Sequence, residues 1–377
     1  MMVAVSVIDG RSHSKSYKKE LFILDVDAGS DDAVAIVMAG SKLARCKKRL
    51  EVVAITCVNG NTNLDNVVVN VLKTLKTMNR LDIPVYRGSP KSILRTPETD
   101  NFFGLDGFGD FDFEDTPDPT DFVQSEHAVK ALIRLVNKNP GKINILAVGP
   151  LTNIALATRL DPNFMKNVKR IYVLGGATNG KCLPLLLKHI KCSNGYRGST
   201  CMRLSTELCY YYFSFITGVG NVKPGVEFNF YMDPNAAEIV LSETARPICL
   251  VPWETVKIRS QIFIDWRKNV MGAVDTPVAR LLNQAERIAR QSDDSQWISA
   301  DSYAAWMALN YDSNKKCRST CGGKPLYGRV LTTCGEEAGA LIVDYANTTG
   351  KAANFELIEE IDVEAFKKTL LKIVKED

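Results

Sequence analysis

The sequence has no apolar run long enough to cross a lipid bilayer and no long block of basic residues. Its formal net charge of +4 is spread along the chain, which gives no reason to expect nucleic acid or a membrane as a partner. The N-terminal apolar stretch, Met2 to Ile8, is short and lacks the basic start of a secretory signal. These absences predict a soluble, cytoplasmic protein.

Histidine and paired cysteine motifs are also scarce. The 377 residues include three histidines, and the ten cysteines are scattered. The closest two, Cys317 and Cys321, have neither a second pair nor histidines at the spacing of a zinc site. We therefore expect reduced thiols and no structural zinc. With 45% hydrophobic and 24% charged residues, the chain can form one large α/β domain or two smaller ones.

Apolar segments typical of buried strands alternate with amphipathic segments typical of helices. The predicted strands are Leu21–Asp25, Val52–Cys57, Ile143–Val148, Arg170–Leu174 and Pro247–Val251. The predicted helices include Leu64–Met78, Ser125–Asn137, Leu151–Leu160, Pro234–Ser242, Val278–Arg290 and Val363–Val374. This alternation predicts an α/β fold with an open, mostly parallel, Rossmann-like sheet and helices on both faces.

A short acidic segment follows the first predicted strand. The strand leads directly into Asp25, Asp27, Asp31 and Asp32, with Gly29 allowing a tight turn between them. One or two such residues would be ordinary helix caps in an acidic turn. Four carboxylates within eight positions at the carboxyl end of a strand instead favour a site for a hard metal ion with oxygen ligands.

Polar loops that contain glycine or asparagine follow the later strands, where an open α/β sheet binds its ligands. They are Asn59–Asn61, Gly149–Asn153, Gly175–Gly176, Gly220–Asn221 and Glu227–Asn229. In this order, the acidic segment and these loops resemble the motifs of the nucleoside hydrolase family, the inosine/uridine-preferring nucleoside N-ribohydrolases. The resemblance runs from about Leu21 to the C-terminal helix, with Ala28 where proline is common. It implies a single domain over residues 20–377, preceded by a tail at 1–19.

The resemblance also implies a metal site and a reaction. The carboxylates of Asp27, Asp32 and Asp301 and the backbone carbonyl of Thr152 would hold one Ca²⁺, which prefers several oxygen ligands. The ion would bind the ribose 2′- and 3′-hydroxyls and one water. Asp27 would deprotonate that water for attack on the anomeric carbon of a ribonucleoside. Carboxylates and amide oxygens near the ring would stabilise the oxocarbenium-like transition state.

Other residues of the motifs take supporting roles in the family. Asp25 would orient the metal ligands without binding the ion itself. The ribose-binding candidates are Asp31, Asn61, Asn221, Glu227 and Asn229. By the same resemblance, the partners would be a ribonucleoside substrate and further copies of the chain, as a homodimer or homotetramer.

Several of these residues have a simpler structural interpretation. Asn221 and Asn229 could be turn or capping residues. Thr152 could cap the helix that begins there, and Asp301 could cap the Ala-rich helix Tyr303 to Leu309. The position of Asp301 in the family pattern is what favours metal binding for it.

Two histidines that are common in the family are absent. The position before the C-terminal aspartate, where a histidine is proposed to protonate the leaving base, is Ala300, and Phe103 replaces a second histidine. The histidines that are present, His13, His127 and His189, are not obvious substitutes. A purine can be protonated on its own ring, so the loss favours purine nucleosides. The candidates for base stacking are Phe102, Phe103, Trp253, Trp297 and Trp306.

The block Lys181–Thr217 interrupts the family pattern, because relatives pass almost directly from Gly180 to Gly218. It holds four of the ten cysteines and has no clear amphipathic period. Gly180-Lys181-Cys182 can be encoded with a splice donor, and Thr217-Gly218 with an acceptor. We therefore favour a translated intron. The rival hypothesis is a true insertion that acts as a lid or an interaction loop.

Three function classes follow. The first is a Ca²⁺-dependent nucleoside hydrolase. The second is a catalytically impaired or non-catalytic nucleoside-binding relative, which the missing histidines and the inserted block favour. The third is a phosphatase of the haloacid dehalogenase type, because Asp25 and Asp27 follow a strand as its nucleophile and acid do. The residues from Ala28 to Asp32 fit that class poorly.

Overall fold

A computed structural model describes residues 19–48, 50–99, 101–178, 219–291, 295–310, 323–333 and 335–376. The predictions for the tail up to residue 18, the block 181–217, the pair Cys317 and Cys321, and His13 and His189 lie outside the described residues. No helix in the described ranges is both long enough and apolar enough to cross a membrane.

Within the described ranges, nine strands form one sheet and two further strands form a small antiparallel pair. The strands are β1 Glu20–Val26, β2 Leu50–Cys57, β3 Val85–Arg87, β4 Val123–Gln124, β5 Ile143–Ala147, β6 Arg170–Leu174, β7 Ile248–Val251, β8 Lys324–Leu326, β9 Gly328–Val330, β10 Leu341–Val343 and β11 Phe355–Leu357. The order in the large sheet is β4-β3-β2-β1-β5-β6-β7-β11-β8. All neighbours are parallel except β11 and β8. The predicted mostly parallel α/β sheet is confirmed.

The α-helices are α1 Ser30–Gly40, α2 Leu64–Thr77, α3 Pro119–Phe122, α4 Ala128–Lys138, α5 Thr152–Leu160, α6 Phe164–Asn167, α7 Phe228–Met232, α8 Pro234–Glu243, α9 Ile264–Trp266, α10 Pro277–Ala285, α11 Ala300–Asn310 and α12 Val363–Val374. Three π-helical turns, Ala44–Lys48, Thr255–Arg259 and Arg267–Met271, and one 3₁₀ turn, Ala289–Gln291, complete the helical elements of the described ranges.

The sheet separates two apolar cores, because successive side chains of a strand point to opposite faces. In β1, Phe22, Leu24 and Val26 join the core formed with α1, α2, α11 and α12. Ile23 joins the core formed with α4, α5 and α8. Burial on both faces explains why β1 is an almost continuous apolar run.

Two helices beside the sheet are buried along nearly their whole length. Every residue of α1 is buried, as are all residues of α11 except Asn310. The two helices pack against each other. Their first turns carry Asp31 and Asp32 in α1 and Asp301 in α11.

The predicted bounds are exact for Arg170–Leu174 and Val363–Val374 and wrong for two helices. The helix expected to start at Ser125 begins at Ala128, because the His127 ring accepts the Val129 N–H as an N-cap. The helix expected to reach Arg290 ends at Ala285. There the chain turns to bury the carboxylate of Glu286 beside Arg267 and Trp297.

The strand order reverses at β1, which lies between β2 and β5. Open α/β sheets bind ligands beyond the carboxyl ends of the strands at such a switch point. The acidic segment follows β1 and therefore emerges there.

Candidate active site

The ends of neighbouring strands bring the polar loops together. Val58 after β2 donates its backbone N–H to Val26, and Val148 after β5 donates its own to Asp25. The chain therefore leaves β1, β2 and β5 side by side. As a result, Asn61, 34 residues from Asp27 in the sequence, lies in contact with it.

Three carboxylates converge at the first turns of α1 and α11. Asp31, Asp32 and Asp301 each place one oxygen within 4.8 Å of the others, and all three are buried. A helix N-terminus favours negative charge, which helps to hold these side chains there. The cluster brings together residues that are 269 positions apart, from Asp32 to Asp301.

Asp27 joins this cluster through the turn after β1. Its backbone N–H donates to Asp32 Oδ1 at 3.2 Å, and its Oδ2 accepts the Asn61 backbone N–H at 2.8 Å. The other oxygen, Oδ1, is buried without a hydrogen-bond partner. The loop passes so close that a Cβ on Gly60 would lie 1.9 Å from Asp27 Oδ2. Ala28 adopts a φ of +34°, and Asn70 Nδ2 holds this turn by donating to its carbonyl at 3.1 Å.

Burial raises the pKa of every carboxyl in and beside this group, and repulsion by neighbouring carboxylates adds to the effect for Asp25, Asp27, Asp31 and Asp301. Burial raises the pKa of Asp25 to about 7 and, together with the Asp32 charge, that of Asp31 to about 8. Burial raises the pKa of Asp32 to about 6. The pKa values of Asp27 and Asp301 lie well above their ordinary range, because burial and the neighbouring carboxylates both disfavour their charged forms.

These side chains fit a hard divalent cation. All the clustered donors are carboxylate oxygens, the ligands that Ca²⁺ prefers. Buried oxygens of Asp27 and Asp31 have no hydrogen-bond partner. Such a concentration of buried negative charge is costly unless a cation neutralises it.

Asp25 lies behind the cluster rather than in it. Its Oδ1 accepts hydrogen bonds from Thr56 Oγ1 at 2.5 Å and Asn153 Nδ2 at 2.9 Å. Asn153 also donates to the Cys57 carbonyl and accepts from the Ser89 backbone. This network ties the ends of β1, β2 and β3 to α5, which suits the predicted orienting role of Asp25.

Thr152 and Asp301 do not act as helix caps. Leu151 occupies the N-cap position of α5, and the Thr152 hydroxyl instead donates to Asp233 Oδ2 at 2.7 Å. Asp301 lies within the first turn of α11, with its carboxylate in the acidic cluster. The capping interpretation of both residues is therefore wrong, and their assignment as metal ligands stays a prediction.

A cavity of about 340 Å³ opens onto the cluster. All five predicted ribose ligands line it, namely Asp31, Asn61, Asn221, Glu227 and Asn229.

Three of these five also hold the local backbone. Glu227 caps α7 and accepts the Gly176 N–H at 2.8 Å, and Asn221 Oδ1 accepts the Phe228 N–H at 2.8 Å. Asn229 Nδ2 donates to the carbonyls of Val148 and Leu174. Asn221 therefore both fixes the chain before α7 and lines the cavity, whereas the turn or capping interpretation is wrong for Asn229, which lies within α7 and reaches two carbonyls at the strand ends.

The two positions without histidine, Ala300 and Phe103, also line the cavity. Among the proposed stacking residues, Phe102 and Trp253 line it as well. Trp306 packs on Phe366 in the core.

Sequence reasoning missed three polar residues at or around the site. Lys257 lines the cavity, Asn153 holds Asp25, and Asp233 holds Thr152. Asn153 lies in the loop Gly149–Asn153, and Asp233 lies four residues after the loop Glu227–Asn229, so both positions carried a signal. Lys257 carried no such signal.

Comparison with known proteins identifies related sequences. The sequence model of a family described as inosine-uridine preferring nucleoside hydrolase matches residues 22–368. An uncharacterised protein of Schizosaccharomyces pombe is 33% identical over 231 residues, covering 61% of this chain and 60% of that protein. The pyrimidine-specific ribonucleoside hydrolase RihB of Escherichia coli is 31% identical over 226 residues, covering 60% of this chain and 57% of RihB. The chain thus spans less than two thirds of the length of either relative.

A solved structure supports the fold. The structure of an inosine-guanosine nucleoside hydrolase superimposes with a TM-score of 0.74 at 24% identity, covering 95% of this chain and 99% of that one.

Proposed function

Because the chain belongs to the inosine-uridine preferring nucleoside hydrolase family, we propose that it hydrolyses the N-glycosidic bond of ribonucleosides to ribose and free base. The observation that carries the proposal is the buried cluster of Asp31, Asp32 and Asp301, open to a cavity at the switch point of the sheet. The family match gives no support to the phosphatase class.

We assign the metal site to Asp27, Asp32, Asp301 and the Thr152 carbonyl, with Ca²⁺ as the ion. The oxygen-only donor set and the unpartnered Asp27 Oδ1 support this assignment. When bound, the cation would acidify a water molecule and bind ribose hydroxyls. Asp31, the third member of the cluster, would contribute to metal or ribose binding.

Different residues would then activate the water and bind the ribose. Asp27 Oδ1 would accept the proton of the attacking water, while the Asn61 N–H fixes the other oxygen of the same carboxylate. The polar residues of the cavity would bind the ribose, with Glu227 held by backbone N–H groups and Asn229 held by two carbonyls. Held in this way, their oxygens would stabilise positive charge that develops on the ring.

The alternative function is nucleoside binding with impaired or no turnover. It is supported by Ala300 and Phe103, which line the cavity where the family commonly has histidines. It predicts saturable nucleoside binding without ribose release.

The preferred base, the cellular location and the oligomeric state are proposals too. Phe102 and Trp253 in the cavity wall suit stacking on a purine. A cytoplasmic location is consistent with Cys46 and Cys57, which carry thiols and form no disulfide. A homodimer or homotetramer follows from the family resemblance.

The test is ribose release from inosine, adenosine, uridine and cytidine by the full-length chain, with and without a calcium chelator. Release that the chelator abolishes and added calcium restores would support the hydrolase and rank the bases. Binding of a nucleoside by folded, calcium-loaded protein without release would support the alternative.

A further inference from the structure

A nucleobase leaves with the electron pair of the broken C–N bond, so a proton donor beside the base lowers the barrier. Ala300 and Phe103, at the positions of the family histidines, carry no such proton. The cavity must therefore supply the proton elsewhere, or the base must take it from water.

Lys257 is the one basic side chain among the described residues that line the cavity. The other ionisable groups of that lining are Asp31, Glu227 and Asp301. Each of these carboxyls is buried, and the family role predicted for each is to bind the ribose or the metal. Lys257 is half-buried and keeps access to solvent, from which a spent acid can regain its proton.

The backbone places Lys257 beside apolar residues of the cavity lining. It lies on the π-helical turn Thr255–Arg259 after β7, four residues from Trp253, which also lines the cavity. The Lys257 carbonyl accepts a hydrogen bond from Gln296 Nε2 at 3.4 Å. This contact links the turn to the segment that leads to Ile298 and Ala300, both in the cavity lining.

We propose that Lys257 is the general acid that protonates the leaving base, in place of the absent histidine. The inference rests on the proposed function. Water adds its oxygen to the anomeric carbon and gives a proton to Asp27. The C–N bond breaks, its electron pair goes to the base, and the Lys257 ammonium donates a proton to the base. Solvent returns a proton to the amine and removes one from Asp27, so the net reaction consumes one water.

The experiment compares leaving groups in the calcium-loaded, full-length chain. Inosine and uridine need protonation of the base, whereas 4-nitrophenyl β-D-ribofuranoside releases an anion that is stable without it. Lys257→Met is expected to lower kcat on the better nucleoside by about 10²-fold or more and to change kcat on the nitrophenyl riboside by less than about 3-fold. Retained turnover of the nitrophenyl riboside also shows that the variant is folded.

Two further variants sharpen the result. Arg259→Met removes an exposed charge from the same turn outside the cavity, so both rates should be unchanged. Lys257→Arg keeps the charge but releases a proton far less readily, so it should not restore nucleoside turnover.

Equal losses on both substrates, no loss on either, or rescue by arginine would overturn the role of Lys257. Failure of the wild-type protein to hydrolyse any of these ribosides would instead refute the proposed function, and this inference with it.

Discussion

Asn153 donates a hydrogen bond from Nδ2 to Asp25 Oδ1 at 2.9 Å, across 128 residues of sequence. Both residues are fully buried. The bond fixes the end of β1 to the start of α5. The candidate ligand Asp27 lies just after Asp25, and the candidate ligand Thr152 lies directly before Asn153. The acidic site is therefore supported by a polar network beneath it.

Asn153→Ala should destabilise the protein. It removes the Asn153 bonds to the Cys57 carbonyl and the Ser89 N–H in the interior, and it leaves Asp25 with Thr56 as its remaining side-chain partner. We expect a loss of about 3 kcal/mol in the free energy of unfolding, because each buried polar group left unsatisfied costs about 1–3 kcal/mol. Denaturant unfolding measures this. Asn163→Ala, at an exposed N-cap without a side-chain cap bond, is the control and should change stability by less than about 0.5 kcal/mol. Equal effects of the two variants would contradict the role of the network.

Asp27→Asn should abolish most turnover while the fold is retained. The amide keeps the shape of the side chain but cannot accept the proton of the attacking water. We expect kcat for ribose release to fall by about 10²–10⁴-fold. The exposed Asp112→Asn is the matched control. A variant at Asp27 with near wild-type kcat would show that another group is the base.

The stability of the calcium-free protein should fall as pH rises. In the folded state the pKa is about 6 for Asp32, about 7 for Asp25 and about 8 for Asp31, whereas an unfolded aspartate has a pKa of about 3.9. Between these values the folded state binds more protons than the unfolded state, so stability that is complete below pH 4 is lost towards pH 8.

Calcium should reverse this trend, because it binds the deprotonated carboxylates. We expect the gap in Tm between calcium-loaded and chelator-treated protein to widen by several degrees from pH 5 to pH 8. Thermal unfolding across this range measures it. A Tm of the chelator-treated protein that does not change with pH would argue against the burial of these acids.

Deletion of residues 181–217 should leave a folded protein with turnover at least equal to that of the full-length chain. The described segments before and after this block are in contact, since the Gly176 N–H donates to Glu227 Oε2 at 2.8 Å. Ribose release by the deletion variant and sequencing of the transcript test the intron hypothesis together. A gene without the splice donor and acceptor, or a deletion variant that loses activity, would support a true insertion.

The sequence predicted the sheet because buried parallel strands such as β1 are continuous apolar runs. It did not predict short strands such as β3 and β11, whose three residues each carry too little pattern to distinguish them from loops. It misplaced the end of α10, where the buried pairing of Glu286 with Arg267 outweighs helix propensity.

The acids after β1 could be identified because they are close in the sequence, and Asp301 could be identified only through the family pattern. Lys257 reaches the cavity through tertiary packing alone. Its turn follows β7, and nothing in the local sequence distinguishes it from a lysine on the surface.

The complete burial of α1 has a consequence for how the site can evolve. A helix with no face in water cannot shift or rotate without disturbing packed neighbours on every side. The carboxylates of its first turn are thus fixed to the interior as firmly as the core side chains behind them. Changes of substrate preference would have to arise in the surrounding segments that carry Phe102, Asn221 and Lys257, while the acidic cluster stays constant.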